Sequence, residues 1–187
     1  MPTNCRFEID DAEKEWLYEP DSFDFIHNRN FICSIRNWPK LIEQTFRHIK
    51  PGGWVEWQQK YPWFLSDDKT LEDGSPIFMW GKNFFEAAEK FGTPVTTAKS
   101  LKKWMEEAGF VDVEEHILKL PVGSWPKDPR LKKVGMFESI NMQEGLEGLS
   151  IKVFTRALGW SVERVQMFLM DVRKQVKNRH VHSYYNL

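Results

Sequence analysis

The sequence predicts an α/β fold with parallel strands, and three observations carry that expectation. The segment "SFDFIHNR" combines aromatic residues and an Ile with few turn residues and follows a Pro-Asp-Ser turn, as a buried strand does. After it, Trp38, Leu41, Ile42, Thr45, Phe46 and Ile49 recur at helical spacing, so one face of a helix is apolar. A second aromatic-rich stretch, "WVEW", reads as the next strand. Strand, helix and strand in that order form a crossover between parallel neighbours.

The elements follow in order. "CRFEI" places Phe7 and Ile9 on one face of a short first strand, and the acidic "DDAEKE" is a loop. Asn37 is placed to cap the first helix, whose opening turn tolerates Pro39. Lys50-Pro-Gly-Gly is expected to end that helix, because glycine accepts positive φ and proline cannot prolong it. Ser75-Pro76 and Asp128-Pro129 each open a further helical run. In the first of these Phe78, Met79, Phe84, Phe85 and Ala88 are expected to face inward. A helix from about Thr97 to Ala108 stops at Gly109, and "FVDVEEHILKL" then alternates like a strand. From Pro129 to Asn178 the pattern is helical, with breaks expected at Gly145, Gly148 and Gly159. Ser161 starts the last helix, and "HVHSYY" begins a strand.

Composition narrows the function. A chain of 187 residues with 41% hydrophobic residues suits one domain with a real core. A net charge of −1 leaves no basic footprint for nucleic acid. Cys5 and Cys33 are too few for a disulfide framework, and the N-terminal residues do not read as a signal peptide. No stretch is apolar enough to span a membrane. These features lead to the expectation of an intracellular protein, in the cytoplasm or nucleus. No metal site is expected: His180 and His182 share a strand face, but no third ligand stands nearby.

"RFEIDDAEKEWLYEPDSFDFIHNRNF", the Trp-Pro-initiated helix, "KPGGWVEWQQ" and "SLKKWMEEAGFVDVEEHILKLPVGSWPKDPRLKKVG" together resemble the fungal LaeA-like branch of class I S-adenosylmethionine-dependent methyltransferases. The resemblance covers nearly the whole chain. It implies a Rossmann-like sheet, S-adenosylmethionine bound across the carboxyl ends of the central strands, and methyl transfer to a small-molecule acceptor or a protein side chain. It also implies an incomplete sheet, because the family's glycine-rich loop and the strands beside it precede the matched stretch. Residues 1–60 are then the remnant of the cofactor-binding sheet and 61–187 a helix-rich lid and acceptor-side region of the same single domain.

Residue by residue, the resemblance places Asp11 and Ala12 at the adenine, although acidic runs are also commonly solvated loops. It places His27, Asn28 and Arg29 where a central strand ends, beside the methionine moiety and the acceptor; ligands of open α/β sheets bind at such ends. His27 is the candidate general base, with ordinary packing as the alternative. Asn28 and Arg29 read equally well as helix-capping or ion-pairing residues. Glu56, Trp57 and Gln58 close the next strand. Trp63, Phe78, Trp80, Phe84, Trp104 and Trp125 are candidate walls of an acceptor cavity, or core. The alternatives are a non-catalytic regulatory or interaction protein derived from a methyltransferase, its "FDFI" edge completed by a partner strand, and an inactive fragment.

Overall fold

Phe23–Arg29 forms β1 and Ile49–Gln58 forms β2, and between them Trp38–His48 forms α1. The two strands are parallel, with Ile26 opposite Val55 and Asn28 opposite Trp57, as the crossover requires. This computed structural model describes residues 2–187. Asn37 caps α1 as expected, its Oδ1 accepting from the Lys40 N–H at 3.1 Å. Trp38, Leu41, Ile42 and Thr45 are buried on the helix face that meets the sheet, and Phe46 instead packs edge-on against Phe110.

Lys50-Pro-Gly-Gly does not cap α1. The helix has ended at His48, and Ile49 already pairs with Phe23, so the four residues lie within β2 as a bulge between Ile49 and Trp54. Gly52 takes φ +80°, and a Cβ at Gly53 would stand 2.8 Å from Ile49 Cγ1 and 3.0 Å from the Asp24 carbonyl. Long-range pairing, invisible to local sequence, moves the turn signal inside the strand. "CRFEI" forms no strand: Phe7 and Ile9 are exposed, and no ladder partner lies beside them among the described residues.

Beyond β2 the chain builds a second layer. β3 (Tyr61–Leu65) is followed by α2 (Pro76–Lys90), a 3-10 turn (Val95–Ser100) and α3 (Leu101–Ala108), which ends at Gly109 with φ +107°. Of the expected long strand after Gly109 only Lys119–Pro121 forms a strand, β4. α4 (Pro129–Leu158) runs through Gly145 and Gly148 without a break and stops at left-handed Gly159. α5 (Val162–Val176) is capped by Ser161, and β5 (Tyr184–Asn186) completes the expected last strand. β5 lies between β3 and β4 in an antiparallel sheet; the sequence reading expected strands at "FVDVEEHILKL" and "HVHSYY" but foresaw neither β3 nor this pairing.

The main core belongs to this layer. Trp80, Phe84, Leu146, Phe154, Val165, Leu169 and Tyr185 are buried together in it. α2 turns Ile77, Trp80, Phe84, Ala87 and Ala88 inward, so the expected inner pair Phe78 and Met79 is displaced by a rotation of the helix. A smaller core holds Ile35, Trp38, Leu41, Ile42 and Leu101 between α1 and α3. No helix is long and apolar enough to cross a membrane.

Candidate functional site at the strand ends

Alternation along β1 and β2 divides their side chains between two faces. Ile26, Asn28, Val55 and Trp57 share the face that α1 covers, where Trp57 and Trp38 rings lie 5.8 Å apart. Phe25, His27 and Arg29 share the opposite face with Trp54, Glu56 and Gln58. That face is open: Phe25 is 55% and Trp54 74% exposed.

On the open face His27 Nδ1 meets Glu56 Oε2 at 2.9 Å. The Gln58 amide donates to Glu56 Oε1 at 2.8 Å and, with His27, holds the Glu56 carboxyl below the usual carboxylate range. An ionised Glu56 only accepts, so it selects the Nδ1–H tautomer of a neutral His27 and leaves Nε2 with a free lone pair. Phe25 stacks near the imidazole, at 6.1 Å between centroids. Arg29 is exposed and makes no ion pair among the described residues.

Asn28 is buried, and its Oδ1 accepts from Gln59 Nε2, while Gln59 Oε1 accepts from the Phe31 N–H at 3.1 Å. Nearby, the indole N–H of Trp57 is buried without a partner among the described residues.

The acidic loop reaches the same end of the sheet. Ala12 packs into the small core beside Phe31 and Trp57, and its carbonyl accepts from Trp16 Nε1 at 3.1 Å. Asp11 Oδ1 accepts from the Glu13 N–H at 3.0 Å, and Oδ2 has no partner among the described residues. Glu13, which the sequence reading treated only as solvated, receives the Arg36 and Asn37 N–H groups, each at 2.8 Å, and so occupies the N-terminus of α1.

The structure thus gathers Ala12, Asn28 and the His27–Glu56 pair at one end of the sheet. It does not gather the proposed aromatic walls. Trp80 and Phe84 are core, stacked at 5.0 Å. Trp104 belongs to the small core, and Trp125 stacks on His182 at 5.2 Å. Trp63 and Phe78 remain partly exposed and touch edge-on at 5.8 Å. Two shallow clefts, of about 340 and 290 Å³, are lined by neither His27, Asn28 nor Arg29. Neither His180 nor His182 lies in a strand; His182 binds Asp68, and no cluster of metal-ligand type exists among the described residues.

Two polar groupings were missed in the sequence. Gln59 is one, and nothing local marks it. The other is buried Glu138 on α4, which accepts from Lys60 Nζ at 3.0 and 3.1 Å and from the Tyr185 hydroxyl. Its signal was present, because Gly135, Glu138, Met142, Leu146, Ser150 and Phe154 recur at helical spacing along the buried stripe of α4.

The family described as "Methyltransferase domain" matches residues 3–115. Methyltransferase pytC of Aspergillus terreus is 40% identical over 185 residues, covering 99% of this chain and 57% of that protein. The secondary metabolism regulator LAE1 of Cochliobolus heterostrophus is 32% identical over 190 residues, covering all of this chain and 62% of the relative. Protein-methionine methyltransferase laeA of Emericella nidulans is 30% identical over 185 residues, covering 98% and 49%. The chain therefore spans only 49–62% of the length of these relatives. With the matched family over more than half of its residues and a parallel strand–helix–strand unit at its centre, the chain belongs to the methyltransferase-domain family, and its similarity to these fungal relatives extends over nearly its whole length.

Proposed function

We propose that this chain supplies the adenine and acceptor flank of an S-adenosylmethionine-dependent methyltransferase acting on a small metabolite with a nucleophilic oxygen. The observation that carries the reading is the His27–Glu56 pair at the carboxyl end of β1, with Nε2 free. The residues suit one side of the cofactor. Among the described residues Asp11 Oδ2 and the Ala12 N–H make no hydrogen bond, an acceptor and a donor for adenine, and Asn28 on the α1 face and Arg29 on the open face flank the strand end that would take the amino-acid group. The Trp57 N–H, buried without a partner among the described residues, is the kind of group that a ligand satisfies.

When bound, the cofactor brings a sulfonium methyl group open to in-line displacement. The chain's own contribution is position and proton handling. Glu56 fixes the imidazole plane and tautomer, and His27 Nε2 takes the proton of the acceptor hydroxyl as that oxygen attacks. Holding the acceptor near contact distance provides much of the acceleration in such reactions. The names of two relatives, one a methyltransferase and one a secondary metabolism regulator, support a role in that metabolism.

The test is methyl transfer with S-adenosylmethionine and a panel of phenolic and hydroxylated metabolites. His27→Ala lowers kcat by about 10²–10⁴-fold, the usual weight of a general base, with little change in KM for the cofactor. A folded chain that binds no S-adenosylmethionine overturns the reading. A second reading, a partner-bound regulator, rests on the exposed Phe25 and Trp54 face; a stable complex without turnover is its signature.

A further inference from the structure

Gln59 stands between β2 and β3 with its side chain turned inward, where only 8% of the residue is exposed, against 6% for its neighbour Asn28. The two ends of its amide have different chemistry, and the structure leaves no freedom over which end points where. The Phe31 N–H lies 3.1 Å from the atom it faces, and a backbone N–H can only donate. That atom is therefore Oε1. The opposite end, Nε2, can only donate in its turn, so the Asn28 atom it meets is Oδ1. One backbone donor thus sets the orientation of two buried amides in series.

The consequence lies at the far end of the relay. With Oδ1 turned to Gln59, the outward end of Asn28 is its NH2. Among the described residues Asn28 Nδ2 has no partner, yet the buried polar atoms without a partner are Trp57 Nε1 and Ser75 Oγ alone. Nδ2 therefore keeps contact with the outside, at the carboxyl end of β1. Turning Asn28 over would set its NH2 against the NH2 of Gln59 and leave a buried donor unmade, which the fold resists.

We infer that Gln59 is a positioning residue that locks the Asn28 amide with its NH2 outward, so that this strand end binds the carboxylate, and not the ammonium, of an α-amino-acid group. The identity of that group as part of the cofactor rests on the function proposed above; the orientation of the amide does not.

Two measurements separate these claims. The first is titration calorimetry of the chain with S-adenosylhomocysteine and with its decarboxylated analogue, which keeps the ammonium. The wild type binds the first about tenfold or more tightly than the second. Asn28→Asp puts a carboxylate oxygen outward. Gln59→Glu keeps the Phe31 bond but faces Asn28 with an oxygen, which turns the amide over. Both variants lose S-adenosylhomocysteine affinity by about ten- to a hundredfold, as for a charge-assisted hydrogen bond, and hold the analogue within about twofold or bind it more tightly. A variant that weakens both ligands alike, or neither, overturns the carboxylate assignment.

The second measurement uses no ligand. Side-chain amide resonances of the wild-type chain are assigned and their hydrogen exchange followed. The Gln59 NH2 is protected and the Asn28 NH2 exchanges freely; the reverse order overturns the relay. If the folded wild type binds no S-adenosylhomocysteine, the cofactor reading fails together with the carboxylate assignment, while the amide orientation is still decided by exchange.

Discussion

The layer built from β3, β4, β5, α2, α4 and α5 and the unit built from β1, α1 and β2 are held together by different means. In the first, Trp80, Phe84, Phe154, Leu169 and Tyr185 are enclosed on every side, with 2% or less of each exposed. In the second, α1 covers one face of a two-stranded sheet, and the other shows Phe25 and Trp54. Polar clasps do much of the fixing there: Glu13 across the start of α1, Gln59 on Asn28, His27 on Glu56, and Lys50 on Asp24 at 2.7 Å. The candidate site lies in the less enclosed unit. Residues that touch ligands must keep polar atoms accessible, so their placement relies on hydrogen bonds more than on buried apolar area.

Deleting one carboxylate in each region gives the sharpest contrast. Glu138→Ala leaves the Lys60 charge without its partner in a largely enclosed setting and removes the acceptor of the Tyr185 hydroxyl. Burial, and next the charge of Glu138, push that phenol well above its usual range. The loss is about 3–5 kcal/mol, the cost of breaking a buried pair, and appears as a lower urea midpoint at unchanged slope. Glu56→Ala, by contrast, breaks a pair whose side chains are 36% and 48% exposed, and the midpoint barely moves. Its effect is on transfer rate, through the freed imbalance of His27 tautomers.

A backbone change tests the second unit directly. Gly53→Ala inserts a methyl group 2.8 Å from Ile49 Cγ1 and 3.0 Å from the Asp24 carbonyl, at the bulge that joins β1 to β2. Overpacking of this kind costs about 1–3 kcal/mol. Amide exchange locates it: protection falls for β1 and β2 and holds for α4 and α5. An equal fall in both regions would mean that they unfold as one cooperative block.

The same contrast explains how far the sequence could be read. Elements fixed by adjacent residues were legible: the Asn37, Asp128 and Ser161 caps, the Ser-Pro and Asp-Pro helix starts, and Gly109 at the end of α3. Elements fixed by distant partners were not. Pairing of Ile49 with Phe23 turned a helix terminator into a bulge, and "CRFEI", without a ladder partner among the described residues, is irregular and exposed. Packing along α4 absorbed Gly145 and Gly148 without a break. At the site, the resemblance pointed to His27, Asn28, Arg29, Asp11 and Ala12, and the binding of ligands at strand ends supported the first three. The groups that orient them, Glu56 apart, come from Gln59 and Glu13, whose roles depend on chain separations of 31 and 24 residues.

Asp68 offers the mildest test, at the rim of the larger layer. Its carboxylate accepts from Ser66 at 2.7 Å, from the Thr70 hydroxyl at 2.8 Å and from His182, tying the loop after β3 to the approach to β5. Ser66 first, then Thr70 and His182, depress its pKa well below the usual carboxylate range. Neighbouring Asp67, bound to Lys119 and Tyr184, is depressed as well. A depressed carboxylate contributes stability that is fully present above its unfolded value, about 3.9, and is lost as pH falls through the folded value. Asp68→Asn therefore lowers the Tm by a constant small amount from neutral pH down to about pH 5, and the gap to wild type closes only below about pH 4. A gap that closed at higher pH would assign the effect to His182 rather than to Asp68. A gap persisting in strong acid would mean that the loop is held by the two hydroxyls and not by the charge. Either result would make this rim resemble the smaller unit, where neutral hydrogen bonds set position, more than the buried network around Glu138.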